Sequence, residues 1–230
     1  MEELENMMAG GYLPASFLDW EGHVAAVIFT SGCNFRCPWC HNGVLVVPSS
    51  EGTLLRDIFV SIKRRAKFLD GVVISGGEPT LWPGLMPLLA KIKEFGLPVK
   101  LDTNGTSPDI LRRVISEGLV ECVAMDVKAP LNEASYARLT GVSVDISKVA
   151  ESIRIIKESA PTHEFRTTYV PALHNADDLA AIRKYIDDDA HWVVQCFKPV
   201  GCLDEKFLEK KEVKPEEVAA MLPVGIKIRG

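Results

Sequence analysis

Three cysteines, Cys33, Cys37 and Cys40, fall within eight residues in the stretch running from Gly32 to Asn42. Thiolates separated by three and then two residues can wrap one compact inorganic centre, and iron-sulfur clusters are held by cysteines at such short spacings. Three ligands leave a four-iron cluster one short of closure. An iron without a protein ligand is the open position that a catalytic metal centre keeps for its chemistry. A structural zinc site is the competing reading of the same thiols. It needs four ligands, usually as two short-spaced pairs, and no second Cys-x-x-Cys or His-x-x-x-His follows.

The elements that must hold this loop are legible from periodicity. Val24-Ala25-Ala26-Val27-Ile28-Phe29 is a continuous apolar run, as expected of a strand buried on both faces in a parallel sheet. The cysteine loop leaves its C-terminal end. Thr53 is a plausible cap for a helix with apolar positions Leu54, Leu55, Ile58, Phe59, Ile62 and Leu69. The pattern then repeats. Strands are expected at 72–74, 98–101, 121–125, 164–170 and 191–197. Helices are expected near 84–95, after Ser107 as cap with Pro108 at the first position, near 133–139, 147–158 and 177–186, and from Lys214.

Six strand-helix units without repeats or linkers imply an α/β fold with a parallel sheet. Six units cannot close an eight-stranded barrel, so the expectation is an open, partial (β/α)6 TIM-like barrel, with a flat doubly wound sheet as the alternative. Residues 1–230 then form one domain: an irregular lead-in over 1–22, a core over about 24–199, and a C-terminal extension over 200–230. The open side of such a barrel predicts a lateral gap wide enough for a peptide loop.

In a parallel barrel, residues just past the strand ends share one mouth. The unusual polar residues fall there: the cysteines after the first strand, Ser75-Gly76-Gly77-Glu78-Pro79 after the second, Asp102-Thr103-Asn104-Gly105 after the third, and Asp126-Val127-Lys128 after the fourth. Gly76 and Gly77 let main chain approach a ligand closely, and with Glu78 they can accept bonds from an ammonium. Strand alternation puts Cys122, Ala124, Asp126 and Lys128 on one face, expected to point inward. Arg166, with Glu164 and Thr168, alternates likewise and is a donor for a carboxylate or a ribose hydroxyl. Gln195 and Lys198 are weaker candidates. Cys122, Cys196 and Cys202 read as free buried thiols, and His23, His163, His174 and His191 as isolated residues without chemistry.

Composition narrows the function classes. The net charge of −5 argues against a nucleic-acid surface. The basic run Lys63-Arg64-Arg65-Ala66-Lys67 reads as the solvated end of an amphipathic helix. No secretory signal or membrane-length apolar stretch is visible, which predicts a cytoplasmic protein with reduced thiols.

The three-cysteine spacing, with Trp39 before the last cysteine, resembles the signature of the radical S-adenosylmethionine (SAM) superfamily. Cys40-His41-Asn42 resembles the glycyl-radical-enzyme activases within it. The resemblance extends from about Ala25 to Pro199 and is most like the longer activating proteins of anaerobic ribonucleoside-triphosphate reductase, while the chain differs from the compact bacterial activators of that reductase in its extra strand-helix units after the fourth strand. It implies a 4Fe-4S cluster on Cys33, Cys37 and Cys40, whose fourth iron is chelated by SAM and whose electron cleaves SAM to methionine and a 5'-deoxyadenosyl radical. It further implies that Gly76, Gly77 and Glu78 receive the SAM amino group and Lys128 its carboxylate. Asp102, Asn104 and Arg166 belong to the same cofactor site. Asp102 and Asp126 either share a monovalent cation, as the resemblance suggests, or pair with Lys128 in solvent. The implied partners are a glycyl-radical enzyme, an anaerobic ribonucleotide reductase, and a flavodoxin- or ferredoxin-type electron donor. The competing functions are a radical SAM enzyme acting on a small molecule, of 7-carboxy-7-deazaguanine synthase type, and a non-catalytic zinc-binding interaction module.

Overall fold

A computed structural model describes residues 2–49, 51–186 and 191–230. Its elements in chain order are α1 (Glu2–Glu5), β1 (Met8–Ala9), β2 (Gly11–Ser16), β3 (Ala25–Thr30), β4 (Thr53–Leu54), α2 (Leu55–Arg65), β5 (Gly71–Gly76), α3 (Leu85–Glu94), β6 (Val99–Thr103) and α4 (Pro108–Ser116). There follow β7 (Cys122–Asp126), α5 (Glu133–Thr140), α6 (Ile146–Ser159), β8 (Thr162–Tyr169), α7 (Ala176–Ile186), β9 (Trp192–Cys196), α8 (Pro215–Ala219) and β10 (Lys227–Arg229). Eight strands form one sheet in the order β10-β9-β8-β7-β6-β5-β3-β2, parallel throughout except for β2. With helices on its outer face the sheet curls into a partial TIM-like barrel, as the strand-helix alternation predicts.

The inner strands are buried for the reason their sequences suggest. Ala25 to Ile28 and Val72 to Ile74 are fully enclosed, because sheet neighbours, helices and the barrel interior cover both faces. Helix α2 buries Leu55, Ile58, Phe59 and Ile62 and ends on Lys63, Arg64 and Arg65, where positive charge suits the helix C-terminus.

Four expectations need correction. The lead-in is not irregular: Gly11–Ser16 pairs antiparallel with β3, Tyr12 opposite Ile28, with a register shift between Leu13 and Ser16. Glycine and proline hide this strand from periodicity, yet both are tolerated on a sheet edge. Met1 of that lead-in lies outside the described residues. Thr53 does not cap α2, because the small ladder Ala9–Thr53 and Met8–Leu54 draws it into extended pairing and leaves Leu54 at the cap position. Ser107 does stand at the cap of α4 ahead of Pro108, but its side chain makes no capping bond. Finally, Lys227–Arg229 adds a further parallel strand beside β9, so the C-terminal extension belongs to the sheet.

The edges β2 and β10 do not pair with each other. At the N-terminal ends of the strands they are linked through side chains: Lys227 and Arg229 both reach Glu21, and Arg229 also pairs with Glu164 at 3.0 Å.

Candidate active site

The cysteine loop is held by main-chain bonds on every side. Gly32 N donates to Leu45 O at 2.8 Å and Cys33 N to Val46 O at 3.0 Å, folding the loop back on itself. Arg36 N donates to Thr140 O at 2.7 Å, and the Trp39 indole donates to Leu139 O at 3.1 Å, docking the loop on the C-terminus of α5. That helix ends on Gly141 in the left-handed region (φ +72°), where a Cβ would stand 2.5 Å from Arg36 O. Only glycine lets the two segments meet.

The chain after β9 closes the loop from the other side. His41 Nε2 donates to Lys198 O at 2.8 Å, and Asp204 N to Pro38 O at 2.9 Å. The lateral gap expected of an open barrel is therefore crossed, on the cysteine-loop side, by residues 198–204.

The Gly76-Gly77 turn approaches protein, in the first instance, rather than a ligand. A Cβ on Gly76 would lie 2.4 Å from Thr30 O, and one on Gly77 would lie 2.2 Å from Gly32 O. Gly77 N donates to Thr30 O, and Glu78 N to Gly32 O at 2.8 Å, so the turn is fastened to the base of the cysteine loop. The Glu78 side chain is 1 % exposed and is occupied. Its Oε1 accepts from Thr80 N, Thr80 Oγ1 and Thr103 Oγ1, and its Oε2 from Asn104 N at 2.6 Å. Burial pushes this carboxyl up, against the four bonds that favour its charged form. Glu78 thus staples the second strand end to the third, and acceptors for an incoming ammonium are left to the turn's main chain.

Inside the mouth the charged residues form a relay. Lys128 Nζ stands 3.1 Å from Asp126 Oδ2 and 5.1 Å over the Trp39 ring. Arg166 spans the two aspartates, its Nε 2.8 Å from Asp126 Oδ1 and its Nη1 3.2 Å from Asp102 Oδ1. Ser75 Oγ donates to Asp102 Oδ2 at 2.9 Å, and Lys100 lies 3.5 Å from the other oxygen. Burial works to raise the Asp126 carboxyl, but Arg166 and Lys128 outweigh it and hold it at about 2. Burial likewise opposes the charge on Lys128, and Asp126 more than restores it, so the ammonium persists. Trp39, Ser75, Asp102, Asn104, Asp126, Lys128 and Arg166 line one cavity of about 460 Å³ with Cys33, Cys37, Cys40, Gly76, Gly77 and Glu78.

The radical SAM superfamily model matches residues 27–186. A Methanocaldococcus jannaschii protein that carries the provisional name glycyl-radical enzyme activating enzyme is 36 % identical over 91 % of this chain and 87 % of its own length. The chain belongs to the radical SAM superfamily. A pyruvate formate-lyase-activating enzyme of Staphylococcus aureus is 31 % identical over 70 % of this chain and 68 % of that relative. Among solved structures, Streptococcus suis SuiB bound to its precursor peptide superposes with a TM-score of 0.66 at 16 % identity, covering 89 % of this chain and 48 % of SuiB. That likeness is one of fold, and this chain spans about half of the SuiB chain.

As a radical SAM protein it uses a 4Fe-4S cluster and SAM, and the residues present fit both. The three cysteines are free and line a single cavity. Yet among the described residues no three His, Cys, Asp or Glu side chains converge closely enough to hold one ion. In a cluster each thiolate takes a different iron, so the three need not meet at one point. Phe35 N already donates to Cys33 Sγ at 3.4 Å, the kind of bond that tunes a cluster sulfur. Burial raises the Cys33 thiol and pushes Cys37 up to about 12, so iron has to displace those protons when it binds. Asp102 Oδ1, buried at the cofactor end of the cavity, is held by the charges of Arg166 at 3.2 Å and Lys100 at 3.5 Å.

The structure thus brings Cys33, Cys37, Cys40, Ser75 to Pro79, Asp102, Thr103, Asn104, Asp126, Lys128 and Arg166 to one cavity, with Thr168 and Gln195 in the same lining, while Glu164 faces the other end of the barrel. The separation between Asp102 and Asp126, where the resemblance suggested a monovalent cation, is spanned by the Arg166 guanidinium, and Lys128 pairs with Asp126 alone. Lys198 is not part of the site: its side chain is exposed and only its carbonyl is used, by His41. Cys122, Cys196 and Cys202 are buried free thiols outside the cavity. Two contributions escaped the sequence. Thr80 and Thr103 satisfy Glu78, and nothing marks a threonine for that task beyond its place at a strand end. His174, which looks isolated, donates from Nε2 to Lys128 O at 2.8 Å.

Proposed function

We propose that this protein uses its cluster and SAM to install a glycyl radical on a large partner enzyme, an anaerobic ribonucleotide reductase, with a flavodoxin- or ferredoxin-type protein as electron donor. The observation that carries the reading is exposed apolar surface on the segments that flank the cysteine loop. Val44, Val47 and Val200 are 89 %, 63 % and 67 % exposed. The segments that bear them run side by side, with the Cβ position of Gly43 3.2 Å from Leu203 Cα. Exposed apolar side chains on segments that flank a site suit a protein surface more than a small solute. The cavity agrees: 460 Å³ is near the low end of the roughly 300–1,000 Å³ that houses one drug-sized ligand. Beyond the positions assigned to SAM, most of its polar lining is already bonded to protein, Asp19 to Ser16, His41 to Lys198 O, Asn42 to Gly76 O, Ser75 to Asp102 and Thr103 to Glu78, which leaves Thr168 and Gln195 to bind a second.

In this reading Cys33, Cys37 and Cys40 are the cluster ligands. When bound, cluster and SAM supply the 5'-deoxyadenosyl radical that abstracts hydrogen from a glycine. Lys128 holds the SAM carboxylate. The carbonyls of the Gly76-Gly77 turn take its amino group, with Glu78 keeping that turn and Asn104 in place. Arg166 keeps Asp126 charged and holds Asp102 and Asp126 in place at the cofactor end. Helix α5 and residues 198–204 hold the cysteine loop from opposite sides and keep water from its flanks. No described helix is long and apolar enough to cross a membrane, and we place the protein in the cytoplasm, where its thiols stay reduced.

The test is electron paramagnetic resonance on anaerobically reconstituted protein, reduced, with SAM and the cognate reductase. A glycyl-radical doublet on the reductase is expected, with only slow release of 5'-deoxyadenosine in its absence. Rapid turnover with a deazapurine and no protein radical would instead decide for a small-molecule enzyme.

A further inference from the structure

Lys128 stands beyond the end of β7, where sheet pairing no longer fixes the chain. The last register partners of β7 and β8 are Asp126 and Arg166, followed by one more ladder bond from Val127 N to Arg166 O at 2.8 Å. Thr167 Oγ1 then donates to Val127 O at 2.8 Å. The Lys128 carbonyl lies past all of these, and a buried carbonyl without a donor is costly. Its donor is His174, 46 residues away and 5 % exposed.

The tautomer of His174 follows from its second bond. Val170 N donates to Nδ1 at 3.1 Å, so Nδ1 is the acceptor and the proton sits on Nε2, aimed at Lys128 O. The turn that carries the ring is itself closed, with Leu173 N and His174 N both donating to Val170 O at 2.8 Å. The Tyr169 ring lies alongside the imidazole at 6.1 Å. Desolvation favours the neutral ring, which is the form both bonds need. A rigid imidazole therefore ties the loop after β8 to the peptide from which the Lys128 side chain departs.

We infer that His174 is a positioning residue of the cofactor site: through the Lys128 carbonyl it sets the direction in which the Lys128 ammonium enters the cavity. This rests on the reading of Lys128 as the partner of the SAM carboxylate. The residue acts through Lys128 and touches no cofactor itself.

Two amide substitutions separate this from a role in the turn alone. In His174→Gln the amide nitrogen stands where Nε2 stood and can still donate to Lys128 O. In His174→Asn the amide reaches only as far as Nδ1 and can still accept from Val170 N. SAM affinity is measured by calorimetric titration of the anaerobically reconstituted protein, with iron content and thermal midpoint alongside. The Gln variant is expected to bind within about twofold of wild type, and the Asn variant about threefold to tenfold more weakly with iron unchanged, the loss of one ordinary hydrogen bond. On Lys128→Ala the further change to Asn should add less than about twofold, because the effect has lost its carrier.

The opposite order, Asn retaining affinity and Gln losing it, makes His174 a turn residue and overturns the inference. So does an undiminished effect in the Lys128→Ala background. If Lys128→Ala itself binds SAM as wild type does, the reading beneath falls and this inference with it; if the lysine matters and neither amide does, only this inference falls. Should the Asn variant not fold, nitrogen chemical shifts of the wild-type ring decide: protonation on Nε2 at neutral pH is expected, and protonation on Nδ1 overturns the assignment.

Discussion

The two ends of the barrel each enclose a charged cavity, and the larger is not the one with chemistry to do. At the N-terminal ends of the strands a space of about 620 Å³ is lined by Trp20, Lys100, His163, Glu164, Trp192 and Arg229 among others. Its charges are spent on one another: Arg229 on Glu164 and Glu21, Lys227 on Glu21, and Lys100 on Asp19 O and Asp102. At the C-terminal ends, the smaller cavity of about 460 Å³ holds three free thiols and the glycine carbonyls of a turn. The difference teaches that unspent donor and acceptor capacity, more than volume, separates a site from a seam. The lower end joins sheet edges that cannot reach each other with main chain, and the upper end is held open by loops fastened to one another.

Four perturbations would break or sharpen this contrast. The largest effect is expected at the thiols. Replacing Cys33, Cys37 or Cys40 by Ala should abolish the cluster, reducing roughly four iron and four sulfide per chain to none after anaerobic reconstitution. Cys122→Ala, at the lower end, should leave iron content unchanged. Stoichiometric zinc without iron-sulfur absorption in anaerobically purified wild type would remove the contrast altogether.

Next is Lys128→Ala, which deletes a charge-assisted bond to the cofactor of about 1.5–3 kcal/mol, or roughly a ten- to hundredfold loss of SAM affinity with iron retained. The control at the other end is Lys227→Ala, expected to bind SAM as wild type does. Equal losses in both variants would show that the two ends act as one electrostatic unit.

Gly77→Ala probes the fastening between loops. The new methyl would sit 2.2 Å from Gly32 O, main chain that cannot step aside. A destabilisation of about 1–3 kcal/mol is expected, with the cysteine loop disturbed as well. Urea unfolding and the yield of reconstituted cluster measure both, and an unchanged midpoint would mean that the loops are not interlocked.

The smallest effect concerns pH. The Asp126 carboxyl is held at about 2, below its ordinary 3.8. A depressed carboxyl contributes stability that is present above the ordinary value and is lost as pH falls from about 4 to 2. In metal-free protein the thermal midpoint of Asp126→Asn should therefore lie below that of wild type at pH 6, with the gap narrowing toward pH 3. A gap independent of pH would assign the loss to packing.

Much of this was legible in the residues themselves. The cysteine spacing, the apolar runs of β3, β5 and β7 and the polar clusters behind them carry their own periodicity, because ligand spacing and side-chain alternation are local properties of a chain. For the same reason β2 was not legible. A strand with Gly11 and Pro14 has no local signature, and it exists because β3 offers it an edge.

What only the tertiary structure decided is how each group spends its bonds. The sequence placed Glu78 and Lys128 at strand ends. It could not show that Thr103 and Asn104 exhaust the Glu78 carboxylate, that Arg166 spans two aspartates, that residues 198–204 cross the lateral gap, or that His174 holds the peptide of Lys128. These contacts join loops from strands dozens of residues apart. They depend on strand order and register, which bring distant strand ends within hydrogen-bond reach, whereas periodicity reports only on the neighbours along the chain.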